Sequence, residues 1–174
     1  LSGIEAFTLL TDLYCYNNQL TSLDVSDCVN LVNLDCSSNQ IGSLNLSSNT
    51  ELVSLGCGRN NLTELDVSSN LNLEALTCRK NQIDSLSLSQ NSTLSLLICN
   101  SNQLKYLNVA NGNNTNFGYM DAFDNPDLYC IFVDDSIYSN QHWHQVDDIV
   151  TFHSGSTNCY LLSSNQVMFA ENIS

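Results

Sequence analysis

The stretch LVNLDCSSNQIGSLNLSSN, residues 31–49, decides the fold. It holds two similar halves, L-x-x-L-x-C-x-x-N from Leu31 to Asn39 and I-x-x-L-x-L-x-x-N from Ile41 to Asn49. Apolar and polar residues alternate within each half, the period-2 pattern of a strand with one buried face. The first half recurs at a step of 21 in four ladders. They are Cys15, Cys36, Cys57, Cys78 and Cys99; Asn18, Asn39, Asn60, Asn81 and Asn102; Leu10, Leu31, Leu52, Leu73 and Leu94; and Leu13, Leu34, Leu55, Leu76 and Leu97. The second half keeps the same step through Leu23, Leu44, Leu65, Leu86 and Leu107. One such unit cannot bury its own apolar side, so each leans on its neighbours. These spacings predict a β-rich solenoid of stacked 21-residue coils, with parallel strands from both halves and few helices.

The energetics follow from the repeat. Burying one Leu contributes roughly 1.5–3 kcal/mol, and each coil supplies several such side chains. The asparagines sit where the chain leaves each strand, a place where a buried amide bonds the backbone of its own turn and of the next coil. Cys28 takes the Asn place in the first of the second halves.

The motif L-x-x-L-x-L/C-x-x-N resembles that of the leucine-rich repeat family. The Cys-bearing 21-residue form, with L-D-V-S-x-N alternating, is similar to the repeats of secreted Bacteroidetes proteins, flavobacterial ones especially. The resemblance covers about residues 1–160. It continues through Asn125-Pro126-Asp127-Leu128-Tyr129-Cys130-Ile131, Val133-Asp134-Asp135, Tyr138-Ser139, Trp143, Val146-Asp147 and Cys159, which resemble the C-terminal cap of such solenoids. The implied organisation is the end of an N-terminal cap or a degenerate coil at 1–9, regular repeats at 10–112 and an irregular last coil at 113–125. A C-terminal cap then spans 126–159, with a short helix near 135–144, and 160–174 form a tail or the start of a following module. Residues 111–116 insert two extra residues before the pattern resumes. The missing initiating Met and the lack of a signal-peptide pattern suggest a mature fragment or an excised domain.

The eight cysteines fall into two populations. Those of the ladder replace a core Leu on successive strands about 4.8 Å apart, wider than the roughly 3.8 Å between Cβ atoms that a disulfide prefers. They read as buried thiols acting as small hydrophobes. Cys130 and Cys159 stand outside the ladder and bracket the implied cap, and a disulfide between them is expected. Such a bond places the protein in an oxidising compartment, secreted or at the cell surface.

Composition narrows the function. The 174 residues include 25 Asn and 27 Leu but only 1 Pro, are 43% hydrophobic, and carry a formal charge of −14 from 18 acids and 4 bases. This balance excludes nucleic acid as a partner, because phosphate binding needs clustered Lys and Arg. No apolar run approaches the roughly 18 residues of a membrane span, so membrane insertion is not expected, and the chain is read as monomeric.

Outward positions of the first-half strands form one continuous face. The residues before each Cys are Tyr14, Asp35, Gly56, Thr77 and Ile98, then Asp121; those after it include Tyr16, Arg59, Arg79, Lys80 and Phe123. Three of the four bases therefore meet on two adjacent coils, where like charges repel by about 1 kcal/mol even in water. One reading is a solvated surface with carboxylate counter-ions. The sharper reading is a ligand site for a carboxylate or sulfate, made by Arg59, Arg79 and Lys80 with Asp35, flanked by Tyr14, Tyr16, Tyr119 and Phe123.

The opposite face repeats Asp24, Asn45, Asp66, Ser87 and Asn108, a polar ladder without the Thr-x-Thr ranks of an ice-binding plane. Seven Asp within 121–148 have the chemistry of a calcium site but no calcium motif. His142, His144 and His153 read as cap histidines rather than zinc ligands, so no metal is assigned. No cofactor is expected, and no nucleophile–base motif or phosphate loop suggests an enzyme. The expectation is a non-catalytic extracellular module for protein binding or adhesion. The alternatives are a carbohydrate-binding module for anionic glycans and a structural spacer.

Overall fold

The computed structural model describes residues 3–155. In chain order its strands are β1 (Asp12–Tyr14), β2 (Asn33–Asp35), β3 (Ser54–Gly56), β4 (Ala75–Thr77), β5 (Ser85–Ser87), β6 (Leu96–Ile98), β7 (Tyr106–Asn108), β8 (Tyr119–Asp121), β9 (Cys130–Val133) and β10 (Thr151–Ser154). One α-helix, α1 (Ser136–His142), joins β9 to β10. The strands make two parallel sheets, six strands in the order β1-β2-β3-β4-β6-β8 and four in the order β10-β9-β7-β5. The chain is thus a parallel-sheet solenoid of 21-residue turns.

Register restates the sequence period. Asp12 pairs with Asn33, Asn33 with Ser54, Ser54 with Ala75 and Ala75 with Leu96, each 21 residues on. Leu96 then pairs with Tyr119, 23 residues on, which absorbs the two-residue insertion. Within that insertion Asn114 is buried, its amide donating to Val109 O at 2.6 Å while its Oδ1 accepts Asp134 N at 2.6 Å.

The core is a set of columns. Leu31, Leu52, Leu73 and Leu94 are fully buried, and Leu34, Leu55, Leu76 and Leu97 stack beside them. Cys36, Cys57, Cys78 and Cys99 fill a third column as free thiols, with Cys15 at its outer end. Burial pushes the Cys36 and Cys78 thiols up to about 12 and raises those of Cys57 and Cys99 well above the ordinary thiol value.

The asparagine ladder works in the opposite direction from the expected one. Each amide bonds its own turn and the preceding coil. Asn81 Nδ2 donates to Cys78 O at 3.0 Å and to Cys57 O at 3.1 Å, while its Oδ1 accepts Leu62 N at 3.0 Å. Asn39, Asn60, Asn102 and Asn125 repeat this arrangement. The reason lies in the turn after Cys, which aims the Asn side chain back under the carbonyls already laid down.

A second correction concerns the second halves. Segments around Leu23, Leu44 and Leu65 are not strands, and Leu44 is only partly buried. There Asp24, Asn45 and Asp66 each accept the backbone N–H two residues on, from Ser26, Ser47 and Ser68, and bend the chain locally. Ser87 makes no such turn, and Leu88 N bonds Asn108 O across the sheet. In the early coils the stacking on this side is carried by Asn49 and Asn70, whose amides reach Val25 O, Cys28 O, Leu46 O and Asn49 O. Cys28 closes the start of this column, its thiol donating to Ile4 O at 3.6 Å.

The C-terminal end is closed by aromatic packing. Buried Trp143 lies 5.3 Å from the Phe117 ring and 5.8 Å from that of Phe152. Asp135 caps α1 by accepting Ile137 N and Tyr138 N. The Cys130 half of the expected disulfide lies in β9, while Cys159 and the tail from 160 fall outside the described residues.

Candidate functional site

The outward face of the six-stranded sheet has a depression of about 400 Å³ centred on β3. Its wall includes Tyr14, Asn33, Asp35, Ser54, Gly56, Gly58, Arg59, Thr77 and Arg79. Two glycines shape it. Neighbouring coils carry Asp35 and Thr77 beside Gly56, and Ser37 and Arg79 beside Gly58. With no side chain at Gly56, the β3 backbone forms a bare floor.

Flanking side chains lean over that floor from both sides. A Cβ placed on Gly56 would come within 2.8 Å of Asp35 Oδ1, and one on Gly58 within 3.2 Å of Arg79 Cγ. Asp35 is held in its pose by Ser37 N, which donates to Oδ1 at 2.9 Å. A carboxylate and a guanidinium thus occupy one notch, yet among the described residues Arg59, Arg79 and Lys80 make no ion pair. Along the rim Asp12 is held below the usual carboxylate range by hydrogen bonds from Thr11 at 2.7 Å and Asn33 at 2.7 Å.

The bases are placed by a backbone device. Asn17, Ser38, Arg59, Lys80, Ser101 and Asp124 all have positive φ, between 55° and 60°. A left-handed non-glycine residue costs on the order of 1–3 kcal/mol. Here the cost is offset by the coil stack: Arg59 N donates to Arg79 O at 2.7 Å, and Arg59 O accepts Asn39 N at 3.2 Å. The residue after each of these six is the ladder Asn, so the turn that positions Arg59 and Lys80 is the one that aims the asparagines.

Of the residues singled out from sequence, Tyr14, Asp35, Arg59 and Arg79 share the depression. Lys80 stands on the coil beside Arg59 but outside the lining, and Tyr16 is exposed next to Cys15. Tyr119 and Phe123 belong to the β8 end of the face, 45% and 53% exposed. Five strand spacings separate β1 from β8, about 24 Å, so the two aromatic pairs cannot grip one small group together. The sequence reading overlooked Gly56 and Gly58 as the residues that make the notch. Their signal was present, two glycines interrupting columns that elsewhere carry side chains.

The acidic and histidine-bearing segments do structural work. Asp147 accepts Asp124 N and Asn125 N at 3.2 and 2.8 Å, and Asp134 exchanges bonds with Asn114. The His142 ring stacks on Tyr138 with centroids 4.0 Å apart. Among the described residues no three His, Cys, Asp or Glu side chains converge to hold a metal ion, and no helix is long and apolar enough to cross a membrane.

No family model and no curated protein matches the chain. Solved structures do. An internalin, InlF, of Listeria monocytogenes superposes with a TM-score of 0.62 at 20% identity, over 89% of this chain and 50% of that one. A leucine-rich repeat protein of Leptospira interrogans gives 0.59 at 21% identity, over 85% and 34%. The leucine-rich repeat ectodomain of the plant membrane receptor kinase GASSHO1/SCHENGEN3 from Arabidopsis thaliana, in complex with CASPARIAN STRIP INTEGRITY FACTOR 2, gives 0.52 at 16% identity, over 83% and 21%. The fold is that of a leucine-rich repeat solenoid, and the chain spans between about a fifth and half of the length of these structures.

Proposed function

We propose that this chain is a non-catalytic, extracellular protein-binding module whose recognition surface is the outward face of the six-stranded sheet. The observation that carries the reading is the notch, which gathers Tyr14, Asp35, Arg59 and Arg79 on a rigid floor while its bases make no ion pair among the described residues. Charged side chains that a solenoid has no structural use for are available to a ligand. Exposed Tyr and Arg are the residue types that dominate binding energy at protein interfaces. The face is about 24 Å across its strands, the scale of a macromolecular partner. The receptor ectodomain that shares this fold is seen with a bound factor, which supports the same use of the scaffold. An extracellular setting and an adhesive role follow from the expected Cys130–Cys159 bond and from the likeness of the repeats to secreted surface proteins.

The second reading, a site for anionic glycans, is favoured by Tyr14 beside the Arg pair. One screen separates the two. The chain is tested against a display library of extracellular proteins and a glycan array, alongside Ser54→Arg, which blocks the notch face, and Ser87→Arg on the opposite sheet. A protein hit lost in Ser54→Arg and kept in Ser87→Arg is the expected result. Glycan hits alone with that pattern would replace the protein reading. Hits indifferent to Ser54→Arg, or none, would overturn the face as the binding surface.

A further inference from the structure

We infer that the Gly56–Gly58 notch is an anchor for one singly charged carboxylate, an Asp or Glu side chain on an extended segment of the partner protein. The inference rests on the face being the binding surface and specifies what that surface selects.

Arg59 and Arg79 reach the same depression from adjacent coils and pair with no acid among the described residues, although the chain carries 18 acidic residues. Arg forks bind carboxylate, sulfate and phosphate alike, so they alone do not choose among anions. Asp35 makes the choice. Its carboxylate leans over Gly56 from the opposite side, and its second oxygen has no partner among the described residues. A doubly charged phosphate seated between the arginines would face this like charge at close range. A carboxylate whose own backbone supplies a neighbouring N–H places its charge on the arginines and its donor on Asp35. An extended peptide bearing Glu or Asp offers this pairing, with Tyr14 flanking it at the rim.

The two glycines act differently: Gly56 opens the floor, and Gly58 lets Arg79 pack close beside it. The backbone of β3 is open at Gly56, where no Cβ stands, whereas Gly58 lies beyond β3 and is buried under Arg79, whose O and Cγ come within 3.1 and 3.2 Å of where its Cβ would be. Gly56 has an ordinary φ, and the atoms nearest an added Cβ there are Asp35 Oδ1 at 2.8 Å and Asp35 Cγ at 3.0 Å, so the substitution pushes the Asp35 carboxylate off its bond with Ser37 N. Gly56→Ala therefore narrows the notch without a backbone clash.

The test uses amide chemical shifts of Gly56 and Gly58 in the full chain, titrated with a blocked tripeptide Gly-Glu-Gly, its Gly-Gln-Gly twin, glucuronate and inorganic phosphate. The Glu peptide is expected to move both amides saturably and the Gln peptide to bind at least tenfold more weakly. Arg79→Gln and Gly56→Ala should each weaken the Glu peptide at least tenfold, and Asp35→Asn should raise phosphate affinity relative to wild type. Equal binding of the two peptides, tighter binding of phosphate than of the Glu peptide to wild type, or glucuronate binding with the peptides silent would each overturn the proposal. A protein partner that is lost in Ser54→Arg but indifferent to Gly56→Ala and Arg79→Gln would sink the anchor while leaving the binding face standing.

Discussion

At the residue scale, the asparagine after each left-handed turn joins two coils by side-chain bonds that no other residue type reproduces. Leu could replace its bulk, but only an amide offers two donors and an acceptor in one plane. Removing it strands one buried backbone N–H, at a cost of about 1–3 kcal/mol, and takes one of two amide donors from each of two carbonyls. Asn81→Ala leaves Leu62 N without its acceptor, while Cys57 O keeps Asn60 Nδ2 and Cys78 O keeps Asn102 Nδ2, and its urea midpoint should drop by the equivalent of about 1–3 kcal/mol. Asn18, exposed at the solenoid's start with bonds only to Cys15 O and Tyr16 O, should lose less than half as much on the same substitution. Equal losses would remove the coil-joining role. The ladder thiols give a second residue-scale prediction. Their protons are held to about pH 12 in the fold for Cys36 and Cys78, whereas an unfolded thiol releases its proton at roughly pH 8.5. Below that range both states hold the proton and stability is untouched. As pH rises from about 9 towards 12 the unfolded state alone ionises, so stability falls by on the order of 1 kcal/mol per pH unit for each thiol. Urea midpoints at pH 8 and pH 10.5 should show the fall, and a Cys78→Ala variant should show less of it. A flat profile contradicts the burial of the ladder.

At the element scale, the two sides of the coil are unequal although their sequences are near copies. First halves pair in an unbroken ladder, because each three-residue strand places its central Leu inward with identical register and the Cys after it continues the buried column. The second halves of the first three coils form no strand, and the turn made there by Asp24, Asn45 and Asp66 is not the cause, because Asp35, Asn108 and Asp121 make the same turn within paired strands. Hydrogen exchange should report the difference directly. Amides of residues 43–47 and 64–68 are expected to exchange at least tenfold faster than those of β2, β3 and β4. Matching protection on both sides would mean that these segments are held as firmly as the paired strands. The period-2 pattern in the sequence was the same in both halves, so it could not distinguish a paired strand from an extended strip. That difference depends on which backbone groups meet across adjacent coils, and on this side strands pair only from β5 onward.

At the scale of the whole molecule, a stack of like coils has two ends that no further coil covers. Beyond β8 the C-terminal end is closed by Trp143 between Phe117 and Phe152, and by Asp147 bridging Asp124 N and Asn125 N. Several acids of the C-terminal segment thus serve as backbone caps, which explains how a segment without Lys or Arg can be so rich in Asp. A Cys130–Cys159 bond would tie β9 to the residues after β10, contributing on the order of 3–4 kcal/mol in the loop-entropy description. A non-reducing digest should yield the two cysteine-bearing peptides as one linked species, and reductant should lower the melting temperature. Recovery of both peptides alkylated without reductant would exclude the bond.

The sequence by itself determined the coil length, the parallel solenoid and the membership of the core columns, because a 21-residue period in Leu, Cys and Asn leaves one way to bury every apolar side. It also brought Arg59, Arg79 and Lys80 onto neighbouring coils, since residues one period apart must stack. Only the tertiary structure decided that Asp35 and Arg79 lean from opposite sides over Gly56 and Gly58, and that Tyr119 and Phe123 lie too far off to join them. Side-chain direction at a gap depends on which neighbour is missing, and distance along a stack depends on how many coils intervene. The first is a property of packing and the second of topology, and neither is written in the spacing of a single repeat.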